Sequence, residues 1–163
     1  MGVREGRCEL ITAPPGEQRV SGQAHTEIAP EVVRAYLDAE YHVCGPAPFT
    51  LRIGEFSPQL REAQSRQGVS CSAFITACNP RGVLSNTVSN AGRQAQLADA
   101  LQKIGLVYWP GIGRDPAGEW SGEESYLIFG MALRDAKFLG REYDQNAIVW
   151  NNEEAIPKLI LLR

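Results

Sequence analysis

A chain of 163 residues with 44% hydrophobic and 21% charged residues has the balance of an ordinary globular protein, and at this length about 68–70% of the unfolded surface can be buried. Collagen, disordered polyanions and coiled coils are excluded, and no apolar run approaches the roughly 20 residues that span a bilayer. A formal net charge of −3 argues against non-specific nucleic-acid binding.

Residues 1–26 are polar, with Arg4, Glu5, Arg7, Glu9, Glu17 and Arg19 around Pro14-Pro15-Gly16. They read as a flexible N-terminal arm, and residues 27–163 as a single domain. The arm lacks a continuous apolar segment of secretory type. Cys8, Cys44, Cys71 and Cys78 form no Cys-x-x-Cys pair, and His25 and His42 are distant in sequence from Cys71 and Cys78. No zinc spacing results, so the expectation is reduced thiols in a cytoplasmic protein.

In chain order, Pro30 to Glu40 reads as a helix with Val32, Val33, Tyr36 and Leu37 on one face. Gly45-Pro46-Ala47-Pro48 breaks the chain. Phe49 to Ile53 alternates as a half-buried strand. Ser57, Pro58 and Gly68 punctuate a second helix. Val69 to Cys78 is nearly continuous in small and apolar residues, the pattern of a strand covered on both faces. Asn79-Pro80 stops it. A helix follows from about Asn90 to Ile104, with Leu97, Ala98, Leu101 and Ile104 as its apolar stripe and Gly105 at its end. Leu106–Trp109 and Tyr126–Gly130 read as strands on either side of a glycine-rich loop. Leu133–Leu139 reads as a short helix, and Ala147–Trp150 and Leu159–Leu162 as the last strands.

This order predicts an α/β fold, or α+β: a mixed parallel/antiparallel sheet of about six strands with helices packed on it. If Val69–Cys78 and Leu106–Trp109 run parallel through their connecting helix, their carboxyl ends and that helix's N-terminus share one edge of the sheet. The starts of Tyr126–Gly130 and Ala147–Trp150 return to it. Asn79, Asn90, Arg93, Gln94, Arg114, Asp115, Glu124, Ser125, Gln145 and Asn146 then converge there, joined by Thr76 and Glu119. Open α/β sheets place ligands outside strand carboxyl ends, a helix N-terminus favours anions, and Arg93 and Arg114 would offer forked donors. The competing expectation is structural. Asn79 and Asn90 would serve turns and caps, Arg93 would pair with Asp115 or Glu124, and Gln145 and Asn146 would satisfy backbone groups.

Other motifs fail. Gly111-Ile112-Gly113 is not followed by a helix as a dinucleotide fingerprint requires. No histidine falls at the converging edge, so no nucleophile–base pair assembles. Cys78 reads as a small core residue. Asp115, Glu119 and Glu124 have the oxygen chemistry of a Mg²⁺ site, but loop carboxylates are more often solvated, and no metal ligand or cofactor is assigned.

Phe49-Thr50-Leu51-Arg52-Ile53-Gly54, Ala73-Phe74-Ile75-Thr76-Ala77-Cys78-Asn79-Pro80, Gly113-Arg114-Asp115-Pro116-Ala117-Gly118-Glu119-Trp120 and Gln145-Asn146-Ala147-Ile148-Val149-Trp150 together resemble a bacterial family catalogued as domain of unknown function 3293. The resemblance runs from about Ala29 to Arg163 with the segments in order. It implies a small, stand-alone bacterial domain and no particular activity.

The functional expectation is a domain that binds a small anionic or nucleotide-like ligand, with Arg93 and Arg114 as anion contacts. One alternative is a divalent-metal-dependent hydrolase or transferase acting on phosphoesters. Another is a protein-interaction or oligomerisation module using the apolar strand Leu159–Leu162 as an edge. The expected state is a monomer or small homo-oligomer, away from membranes.

Overall fold

The computed structural model describes residues 25–163. The arm expected over residues 1–26 lies outside the described residues except for His25 and Thr26, and Cys8 lies outside them too. The Thr26 hydroxyl donates to the Arg163 carbonyl at 2.6 Å, tying the start of the described chain to its end.

Helix α1 (Pro30–Asp38) begins at a proline whose missing N–H is one the first helical turn would leave unpaired anyway. It leads directly into strand β1 (Glu40–Val43), whose Tyr41 and Val43 are buried. That strand was hidden in the sequence by the helix expected to run to Glu40. Strand β2 (Phe49–Leu51) follows. Helix α2 (Pro58–Arg66) is capped as its residues predict, the Leu60 N–H donating to Ser57 Oγ at 3.1 Å. Strand β3 (Ser72–Ile75) is buried at every position. Helix α3 (Thr87–Ile104) starts one turn earlier than expected because Asn86, not Asn90, caps it. Asn86 Oδ1 accepts the Ser89 N–H at 2.8 Å. Strands β4 (Tyr108–Arg114) and β5 (Glu123–Phe129), helix α4 (Leu133–Glu142), and strands β6 (Ala147–Asn151) and β7 (Lys158–Leu161) complete the described chain. No helix among the described residues is long and apolar enough to cross a membrane.

The strands form one seven-stranded sheet in the order β2-β1-β4-β5-β3-β6-β7. Every neighbouring pair is antiparallel. The expectation of a mixed sheet of about six strands is therefore corrected on both points, while helices packed on a sheet stand. The reason lies in the crossovers. The chain leaves β3, passes through α3 and returns in β4, running in the same direction as expected, but it returns two places away and β5 fills the gap. It leaves β5 through α4 and returns in β6 with β3 between. Two crossovers that each skip one place interleave their strands, so directions alternate.

Strand alternation sends side chains to opposite faces. One face, with α2, carries Tyr41, Val43, Leu51, Leu60, Phe74, Leu127, Phe129 and Val149. The other, with α3 and α4, carries Ala73, Ile75, Leu97, Leu101, Ile128, Met131, Leu139 and Ile148. Gly111, expected in a loop, sits inside β4. A Cβ there would lie 2.6 Å from the Phe74 ring and 2.7 Å from the His42 carbonyl oxygen. Only a hydrogen lets β1, β4 and that ring approach so closely.

Gly111→Ala is expected to destabilise the fold by about 1–3 kcal/mol through overpacking, read as a lower urea midpoint at unchanged slope. An unchanged midpoint would mean that both the Phe74 ring and the β1 backbone at His42 move aside freely.

Candidate functional site

The carboxyl ends of β3 and β4, the starts of β5 and β6, and the N-terminus of α3 do lie on one edge of the sheet, since alternating directions leave each of these ends where a parallel arrangement would. Hydrogen bonds across the edge join them. The Thr76 hydroxyl, just past β3, donates to the Glu124 carbonyl on β5 at 2.6 Å. Gln145, just before β6, donates Nε2 to the Cys78 carbonyl at 3.0 Å.

Asn79 is the hub. Its φ of 47° and ψ of 62° are left-handed, a conformation asparagine tolerates better than most residues. Arg81 (φ 57°) and Gly82 (φ 72°) share that region. A Cβ at Gly82 would sit 3.1 Å from Asn146 Nδ2, so the turn needs glycine for both its angle and its space. The Asn79 N–H donates to Asn90 Oδ1 at 2.9 Å, and Asn79 Oδ1 accepts from Asn90 Nδ2 at 2.9 Å and from the Ser85 N–H at 2.9 Å. Those two donors identify the oxygen of the amide. Its Nδ2 is thereby aimed at Glu123 Oε1, to which it donates at 2.7 Å.

Glu123 opens β5 on the same face as Ser125, Leu127 and Phe129. It is half-buried, and burial pushes its carboxyl pKa above the ordinary glutamate value, opposed by the Asn79 hydrogen bond. Its Oε2 receives no hydrogen bond from the described residues. The carboxyl borders a cavity of about 70 Å³ whose walls include Tyr36, Tyr41, Phe74, Asn79, Trp120, Ser125 and Gln145. Burial, together with the Glu123 charge, raises the pKa of the Tyr41 phenol. Burial raises that of Tyr36 as well, against a hydrogen bond from Asn146 Nδ2 at 3.2 Å. On the far side of Asn79 and Glu123 lies a second cavity of about 270 Å³, bounded by Cys78, Ser85, Asn90, Gly122 and Glu124. The Cys78 thiol is buried there and its pKa is raised chiefly by that burial, the opposite of an activated nucleophile.

The residues expected at the site divide into three groups. Asn79, Ser125 and Gln145 border the first cavity, and Asn79, Asn90 and Glu124 the second. Asn146 reaches the Tyr36 hydroxyl. Arg93 does not pair with Asp115 or Glu124. Its Nε donates to the Ala77 carbonyl at 2.8 Å and an Nη to the Tyr143 carbonyl at 2.7 Å, clasping the exit of β3 to the end of α4. Gln94 is buried, its Oε1 accepting the Ala77 N–H at 3.0 Å. Asp115 closes its own loop by accepting the Ala117 and Glu119 N–H groups, each at 3.0 Å. Arg114 is exposed at the end of β4. Among the described residues no three His, Cys, Asp or Glu side chains gather as a metal ion would require.

Glu123, Tyr36 and Tyr41 were missed. A period-two count back from Leu127 places Ser125 and Glu123 on one face and Glu124 on the other, so the signal for Glu123 was present. Tyr36 read only as part of the apolar face of the first helix, and Tyr41 carried no signal because β1 was not recognised.

Residues 75–148 match the family described as Protein of unknown function (DUF3293). The resemblance to DUF3293 is borne out across that stretch. The DUF3293 segment contains Asn79, Asn90, Glu123 and Gln145, whereas Tyr36 and Tyr41 precede it. No curated protein and no solved structure matches the chain.

Two outcomes are expected at this edge. Asn90→Ala removes the partner of the Asn79 N–H and one of the two donors to its Oδ1 and should cost about 1–3 kcal/mol in urea unfolding; a loss below the error of the fit would show that Asn79 is held by other means. For Glu123, the folded chain holds the carboxyl proton more tightly than the unfolded chain does. Its contribution is thus full below the ordinary glutamate pKa and is lost as pH rises through the raised one. Glu123→Gln should therefore gain stability relative to the unsubstituted chain as pH rises across that interval, and a pH-independent difference would contradict the burial of the charge.

Proposed function

We propose that this protein is a small-ligand-binding domain and that its ligand sits in the cavity between α1, β5 and the start of β6. One observation carries this reading. Glu123 is held by a single oxygen, in a walled cavity, with no cationic partner among its lining residues. A desolvated carboxylate without a counter-charge is costly to a fold, and such groups concentrate at functional sites. Asn79, fixed from three directions, aims the carboxyl rather than neutralising it. Trp120 on the β4–β5 loop and Tyr36 on α1 supply flat apolar walls, the lining a small-molecule site uses. About 70 Å³ suits the head group of a small molecule.

Arg93 is a brace in this reading and not an anion contact, since two backbone carbonyls hold its guanidinium. Arg114 is exposed at the end of β4 and borders neither cavity.

The test is a thermal-shift panel of small polar metabolites on the full chain. A binder should raise the midpoint, and Glu123→Gln should weaken it at least about tenfold, or roughly 1.4 kcal/mol, while Lys103→Ala at the far end of α3 leaves it unchanged. A panel without a single Glu123-dependent binder would reject the site.

A further inference from the structure

The polar side chains bordering the cavity differ in what they can still offer a ligand. Several of their donors are engaged by the protein. The Thr76 hydroxyl donates to the Glu124 carbonyl, the Ser125 hydroxyl to the Glu123 carbonyl at 3.1 Å, and the Tyr41 hydroxyl to the Tyr36 carbonyl at 2.6 Å. Gln145 uses its amide nitrogen twice, on the Cys78 and Tyr143 carbonyls. That double donation identifies the other amide atom as the oxygen, and Gln145 Oε1 receives no hydrogen bond from the described residues. Gln145 is only 7% exposed and borders the cavity, so this amide oxygen is open to a donor supplied by a ligand. Glu123 Oε2 is in the same position. The Tyr36 hydroxyl, which accepts from Asn146, keeps its proton free, and so do the Trp120 indole N–H and the second N–H of the Asn79 amide.

The wall thus offers both free acceptors and free donors, and charge is what distinguishes it. Among the described residues Glu123 is the single charged residue that borders this cavity, and Glu123 and Glu124 are the charged residues bordering its neighbour; no described Arg or Lys lines either cavity. Aromatic faces from Tyr36, Tyr41 and Trp120 complete the enclosure, and such faces attract cations and repel anions.

Resting on the ligand-site reading above, we infer that the cavity takes a small organic nitrogen cation, an ammonium or guanidinium group whose N–H bonds donate to Glu123 Oε2 and Gln145 Oε1. The ion supplies the counter-charge that no described residue lining the cavity gives Glu123 and the donor that Gln145 Oε1 lacks. An anionic head group would find neutral donors but would sit against the Glu123 carboxylate with no Arg or Lys among the described residues of the wall to offset it.

The full chain, labelled with ¹⁵N, is titrated with methylguanidinium and methylammonium chlorides, and separately with sodium phosphate and sodium acetate at matched ionic strength. The cations are expected to move the side-chain amide signals of Asn79 and Gln145 saturably, and Glu123→Gln to weaken that binding at least about tenfold. Should the substituted chain fail to fold, the titration of the unsubstituted chain decides by itself, because the reporters are on the cavity wall. Saturable shifts of those signals by phosphate or acetate, and not by the cations, overturn the cation assignment and leave the ligand site standing. Signals unmoved by either cation also overturn it, and the metabolite panel then shows whether the ligand site falls with it.

Discussion

The edge of this sheet depends on the side chain of Asn79. A strand that ends in the interior must turn at once, and β3 does so through a left-handed residue. Backbone in that region costs of order 1–3 kcal/mol per non-glycine residue and persists where the surroundings over-determine it. Here they do. Asn90 holds both the N–H and the side-chain oxygen of Asn79, Ser85 holds the same oxygen, and Arg93 and Gln94 grip the carbonyl and N–H of Ala77 just upstream. Four polar residues of α3 and its approach thus lock the exit of one strand. The consequence is chemical: the remaining atom of the Asn79 amide has no freedom except to face Glu123.

The interleaved crossovers explain why so many chain segments meet there. A strand-helix-strand unit returns its second strand in the direction of the first, so each unit brings a carboxyl end and a helix N-terminus to one edge. Placing the strands of the two units alternately makes all pairs antiparallel without moving those ends. It also sets β5 between β3 and β4. Glu123, at the start of β5, is therefore flanked by the exits of both strands, closer to the Asn79 turn than side-by-side parallel pairing would allow. Ligand placement at strand ends is usually discussed for parallel sheets; the direction of the strands, not their pairing, is what matters for it here.

Polar residues at this edge do two kinds of work. Arg93, Gln94, Asn90 and Asp115 satisfy backbone groups that burial or a tight turn would leave unpaired, and the amide nitrogen of Gln145 does the same. Glu123 and Gln145 also border the cavity with an oxygen that receives no hydrogen bond from the described residues. A sequence shows the residue type in both cases. Which atom of an amide or carboxyl is left over depends on distances between residues dozens of positions apart, such as Gln145 to Cys78 or Asn79 to Glu123, so that distinction was not legible.

What the sequence determined by itself was local. Proline and serine at Pro58 and Ser57 set the start of α2, Gly105 ended α3, and the apolar runs marked β3, β5 and β6, because capping, glycine conformations and burial patterns act over a few neighbouring residues. The gathering of Asn79, Ser125 and Gln145 was also legible, since chain direction follows from the order of elements. Tertiary structure alone decided which strand lies beside which, because a crossover fixes direction but not how many places it skips. It alone turned Arg93 inward to carbonyls and left Glu123 without a counter-charge among the described residues, since both outcomes are set by which partners the packed sheet brings within reach.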